Sequence, residues 1–108
     1  MKDYRDILSL QSHPEGGAFA EVFRSARKVG LTDGVNGERS ALTQIYFHLK
    51  DGDVSRFHRV ASDEVWHLYD GEGVVLYEWN PGWDSVRKTV VSKERSRFCH
   101  VIPAGTWQ

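Results

Sequence analysis

With 108 residues, 40% of them hydrophobic and 27% charged, the chain is sized for one compact domain over residues 1–108 and is too apolar to be disordered. Lys and Arg total 14 against 15 Asp and Glu, and the net charge of −1 gives no general attraction for nucleic acid or anionic lipid, so neither is expected as a partner. Cys99 is the single cysteine, which excludes an intrachain disulfide; no secretory signal and no apolar run of membrane length occur, so the expectation is a cytoplasmic protein.

Tyr4, Ile7 and Leu8 stand at helical spacing behind Asp3, a candidate N-cap, and predict one short helix over residues 2–10. His13-Pro14-Glu15-Gly16-Gly17 stops it, with His13 expected to cap or hydrogen-bond within the turn. From there the period shifts towards two. Residues 19–25 read as a strand, and residues 27–38, rich in glycine with an Asn and an Asp, as a loop. Residues 41–50 alternate, with Thr43, Ile45, Phe47 and Leu49 expected to face the core and Tyr46 and His48 the surface or a dimer contact. Asp51-Gly52-Asp53 is a turn. Strands are expected near 55–60 and over 64–69, paired across the bend Ala61-Ser62-Asp63. Further strands follow at 74–79, 86–91 and 98–102, with a turn at Asn80-Pro81-Gly82 and with Cys99 expected as a buried small hydrophobe. Short strands with glycine-rich turns argue for an antiparallel sandwich or barrel.

The residues that can carry chemistry cluster in the middle of the chain. If His58 and Val60 point inward, Glu64 returns inward on the partner strand, so an imidazole and a carboxylate converge on one cavity. Trp66 and Leu68 share the parity of Glu64 and give that cavity an apolar wall. His67 is out of phase with it. His100 lies in a strand of mixed parity that gives no geometric reason to place it there.

Gly52, five residues, His58, one residue, Val60, three residues, Glu64, six residues, Gly71 is similar to the first motif of the cupin superfamily, and Pro103-Ala104-Gly105, two residues, Gln108 to the start of its second. The finer wording resembles the cupin-5 family, a domain of unknown function: His13-Pro14-Glu15-Gly16-Gly17, Ser55-Arg56-Phe57-His58-Arg59-Val60, Ser62-Asp63-Glu64, Trp66-His67 and the run from Val101 to Gln108. The resemblance implies a mainly all-β jelly-roll barrel or sandwich with one short N-terminal helix, commonly a homodimer, with a ligand cavity between the sheets. It extends distantly to sugar-nucleotide epimerases of the dTDP-4-dehydrorhamnose 3,5-epimerase type, where a barrel histidine abstracts a proton next to a ketone. His58 would inherit that role. Epimerisation also needs an acid on the opposite face of the ring, commonly a tyrosine, and the sequence assigns none.

Metal-binding cupins use three histidines and one glutamate. Here Val60 stands at the second histidine and Gln108 at the third, so no metal and no other cofactor is expected. Gln108 and Trp107 suggest recognition instead, an amide for a carbonyl or hydroxyl and an indole for a flat ring. The chain stops inside the second motif, which reads as a barrel truncated at its C-terminus. Three functions stay open: a cupin that binds a small polar metabolite and isomerises it, with His58 as base, Glu64 tuning it and Trp66, Trp107 and Gln108 holding the ligand; a non-catalytic structural or interaction module; and a metal-dependent enzyme.

Overall fold

The computed structural model describes residues 3–30 and 37–108. They group into two compact units, Met1–Ser55 and Arg56–Gln108.

The first unit opens with a single helical turn, α1 (Tyr4–Ile7), capped as expected by Asp3, whose carboxylate accepts from the Arg5 amide at 3.0 Å. It is shorter than the predicted helix, whose first residue lies outside the described ones. Ser9 turns left-handed at φ 53°, and this break lets Leu10 be buried while Ile7 stays exposed. β1 (Gln11–Ser12) and β2 (Ala18–Arg24) pair across the His13–Gly17 turn. His13 acts as expected: Nδ1 accepts from the Glu15 amide at 3.0 Å, and its ring meets Phe19 and Phe47 edge-on.

β2 also pairs with the later strand Thr43–His48, with a bulge between Glu21 and Phe23. Burial on both strands runs along their length rather than across their faces. The end near Ala18 and His48 is covered, whereas at the edge of the bulge Ile45, opposite Glu21, is 38% exposed. The predicted inward set Thr43, Ile45, Phe47, Leu49 is therefore corrected: Phe47 and Leu49 are half-buried, but so are Tyr46 and His48, the latter with the Tyr4 ring edge against it.

The predicted loop over 27–38 is corrected at both ends, its centre lying outside the described residues. β3 (Lys28–Gly30) and β4 (Glu38–Ser40) form an antiparallel ribbon, which makes the strand Thr43–His48 β5. Both arms are largely exposed, so they lack the alternation by which a half-buried strand is read. The turn at Asp51-Gly52-Asp53 forms as expected, closed by Asp53 N–H to Lys50 O at 2.9 Å.

In the second unit, β6 (Glu64–His67) pairs with β9 (Cys99–Ile102), and β7 (Gly73–Glu78) with β8 (Arg87–Ser92). The partner expected for β6 was residues 55–60, and this is corrected. Within that segment, residues 58–60 make bridge pairing with residues 105–108 instead. The turn at Asn80-Pro81-Gly82 closes with Trp83 N–H to Asn80 O at 3.0 Å. Leu76, Val91 and Ile102 form the core, with Trp66, Leu68 and Val74 packed on it.

On β9, alternation sends His100 and Ile102 inward and Cys99 and Val101 outward. Cys99 is exposed, which corrects the buried reading; an apolar run conceals the parity of its members. One thiol per chain should react with a disulfide reagent such as DTNB without denaturant, and a thiol titrating only after unfolding would contradict this placement. Among the described residues no helix is long and apolar enough to cross a membrane.

Candidate functional site

Two short motifs distant in sequence are tied together by one carboxylate. Asp63 Oδ1 accepts the Ala104 amide at 2.8 Å, and Gly105 N–H reaches Val60 O at 2.8 Å, with Gly105 left-handed at φ 79°. The Pro103-Ala104-Gly105 turn is thus docked on the bend before β6, and residues 106–108 run alongside His58.

His58 and Gln108 exchange both backbone N–H···O bonds at 2.9 Å, which makes them a directly opposed antiparallel pair with side chains on one face. Trp79 and Trp107 exchange theirs at 2.9 and 3.0 Å on the other edge of the same segment. One step along that register, Glu78 lies opposite Gln108, and Asn80 opposite Thr106, to whose hydroxyl its side-chain amide donates at 3.2 Å. Alternation puts His58, Gln108 and Glu78 in one row across three strands.

Gln108, 9% exposed, is held at both ends of its amide. Nε2 donates to Glu64 Oε1 at 2.6 Å, and Oε1 accepts the Trp66 indole N–H at 2.9 Å. An indole only donates and a carboxylate only accepts, so one amide orientation satisfies both. His58 Nδ1 lies 2.7 Å from Arg56 O. A carbonyl cannot donate, so Nδ1 carries the proton and the neutral ring keeps its lone pair at Nε2. His58 and Glu64 therefore meet at Gln108, one through its backbone and one through its side chain, rather than bonding to each other.

Trp66 stands directly opposite His100 in the β6–β9 register, and His100 Nε2 lies 2.5 Å from Glu78 Oε1. Both partners are largely withdrawn from solvent, with side chains 21% and 10% exposed. Neither was expected here. The signal was parity: Glu78 belongs to the inward set of Val74 and Leu76, and His100 to that of Ile102, so each is an ionisable residue within an apolar series.

Trp107 is not brought to this cluster. It projects to the opposite face, where Phe57, Trp79, Val86 and Trp107 line an open apolar depression of about 410 Å³. The Arg59 guanidinium lies over the Trp107 ring, 5.4 Å from its centroid.

The profile of the cupin-5 family, described as Cupin superfamily (DUF985), matches residues 4–108. The chain belongs to the cupin-5 family. Its fold class is accordingly the cupin β-sandwich, mostly strand with one tiny helix. Among solved structures it is similar to a hypothetical protein from Leishmania major, with 32% identity and a TM-score of 0.85 over 96% of this chain and 65% of that one. It is also similar to a protein from Shewanella oneidensis, with 27% identity and a TM-score of 0.80 over 99% of this chain and 67% of that one. This cupin thus spans about two thirds of the length of each. No curated protein matches it.

The donor set does not fit the three-histidine, one-glutamate metal site of the superfamily. Val60 has no lone pair, and the Gln108 oxygen is occupied by the Trp66 N–H while its NH₂ faces Glu64. A cation on Glu64 Oε1 would meet an N–H donor. Among the described residues no three His, Cys, Asp or Glu side chains are grouped to hold a metal ion.

Proposed function

We propose that this cupin binds a small polar metabolite bearing hydroxyl and carbonyl groups at the cluster around Gln108, and isomerises it with His58 as general base. The reading is supported above all by how Gln108 is held. Glu64 and Trp66 use one amide hydrogen and one lone pair, which leaves a second N–H to give beside Glu64 Oε2, ready to accept. A donor and a carboxylate acceptor side by side suit a carbonyl next to a hydroxyl. Trp66 adds a flat apolar wall. His58, paired with Gln108 through the backbone, keeps its lone pair on Nε2, the form that removes a proton. Glu64 would act through Gln108, as a positioning residue.

The test uses dTDP-4-keto-6-deoxyglucose as probe in D₂O, followed by proton NMR. Deuterium is expected at carbon next to the ketone, and His58→Gln should slow its entry by about 100-fold. Equal rates in parent and variant, or no exchange with the parent, overturn the reading. A second reading has its own observation: among the described residues no buried side-chain N or O lacks a partner. A cluster satisfied internally is also what a non-catalytic module would carry, and a parent that neither binds nor exchanges the probe would select it.

A further inference from the structure

Epimerisation requires two proton-carrying groups, one for each face of the reacting carbon, and the proposed function names only His58. We propose that His100, held by Glu78, is the second, so that the site takes a substrate with an acidic C–H beside a ketone and inverts that carbon. The proposal rests on the reading of His58 as base and deepens it.

Glu78 and His100 are the second titratable pair on the inner face. Their 2.5 Å contact uses Nε2 of the imidazole and leaves Nδ1 as the nitrogen able to exchange a proton with a ligand. His58 has the complementary arrangement, with Nδ1 engaged and Nε2 left. Each histidine thus has one nitrogen pinned by an oxygen and one uncommitted, the division of labour that a carboxylate-oriented base requires. The two reach the cluster from different strand pairings. His58 enters beside Gln108 from the segment 56–60, and His100 enters from β9 opposite Trp66, whose indole is bonded to Gln108. Glu78 closes the circuit, since it lies opposite Gln108 in the third strand of the row. Glu78 is a buried carboxylate on the face where Val74 and Leu76 are apolar, and its carboxylate is held against the His100 imidazole.

The step balances without a cofactor. His58 Nε2 takes the proton from the carbon, the C–H electron pair moves to the ketone oxygen, and an enolate forms. Protonated His100 then delivers its Nδ1 proton to the opposite face of that carbon, and the pair returns from oxygen to form the new C–H bond. The two histidines end with their protons exchanged and reset with solvent. Nothing is oxidised or reduced.

Two readouts on the same probe, dTDP-4-keto-6-deoxyglucose in D₂O, separate this step from the first. Entry of deuterium reports removal of the proton, and inversion at the labelled carbon reports delivery to the other face. For His100→Gln we expect deuterium entry within about twofold of the parent and inversion lowered about 100-fold, the usual scale for loss of a proton-transfer group. Glu78→Gln, which keeps the shape of the pair, should lower inversion in the same selective way by a smaller factor. General damage to the fold would lower both readouts together, so an equal loss of entry and inversion in both variants overturns the proposal. Unchanged inversion in His100→Gln overturns it too. A parent that takes up deuterium without inverting refutes the second group and leaves the His58 base standing, whereas a parent that does neither refutes both.

Discussion

Replacing Gln108 with leucine should lower unfolding stability by about 2–4 kcal/mol, because each buried polar group left without its partner costs about 1–3 kcal/mol. The change is close to volume-conserving, so packing loss contributes little. What it removes is both bonds of one amide: the Trp66 indole N–H loses its acceptor and Glu64 Oε1 its donor. Gln108→Glu separates the two losses. The introduced carboxyl can still accept from the indole, but it meets Glu64 where an N–H stood 2.6 Å from the carboxylate. Two carboxylates at that range cannot both ionise, so the folded state holds a proton that the unfolded chain releases. With a carboxyl pKa raised by folding, stability falls as pH rises. The deficit of Gln108→Glu should therefore be small below about pH 4, near the free glutamate value, and grow as pH rises above it. The leucine deficit should lack that growth. Urea unfolding of the three proteins across that range checks both. A leucine variant as stable as the parent would mean the Glu64–Gln108–Trp66 chain contributes nothing to the fold, and the case for Gln108 as a rigid recognition group would go with it.

How much of this was legible beforehand follows from what each signal encodes. Turns announce themselves through residue chemistry, and the bends at His13–Gly17, Asp51–Asp53 and Asn80–Gly82 lie where proline, glycine, Asn and Asp predict. Strands β6 to β9 lie within a residue or two of their expected bounds, since a half-buried strand writes its period into the sequence, whereas the strand expected near 55–60 does not form. Strand partners were not legible. β6 follows closely on residues 55–60, and sequence proximity favoured a hairpin that the long-range β6–β9 pairing replaces. That pairing is also what brings His100 into the row. His58, Glu64, Trp66 and Gln108 were readable because a short signature spaces them, whereas Glu78 and His100 belong to no signature and become visible only through register. Trp107 failed for a simpler reason. It is adjacent to Gln108, and adjacent residues of an extended segment face opposite ways.

Gly73→Ala should be strongly destabilising, by about 3 kcal/mol or more, since backbone strain and steric displacement each cost on the order of 1–3 kcal/mol. Gly73 has φ 133°, and a Cβ there would stand 2.2 Å from Val91 O and 2.8 Å from Ser92 Cβ. The first obstacle is a backbone carbonyl of the paired strand, which no rotamer change can move aside. Gly71 supplies the control. It too has positive φ, at 93°, but a Cβ would meet nothing within 4 Å, so Gly71→Ala carries only the strain, about 1–2 kcal/mol. The gap between the two alanine variants isolates the steric share. It also has a functional consequence, because the displaced neighbour is Val91, 1% exposed and at the centre of the core with Leu76 and Ile102. β7 runs in unbroken register with β8 from Gly73 opposite Ser92 to Glu78 opposite Arg87. A strand forced outward at its first residue is poorly held at its last, where Glu78 meets His100. Urea denaturation of the two variants gives the stability difference, and imidazole nitrogen shifts in a ¹⁵N-histidine sample report whether His100 keeps its carboxylate partner. Equal losses for Gly71→Ala and Gly73→Ala would show that the approach to Val91 relaxes freely, and the ladder would then not be what fixes Glu78 on the inner face.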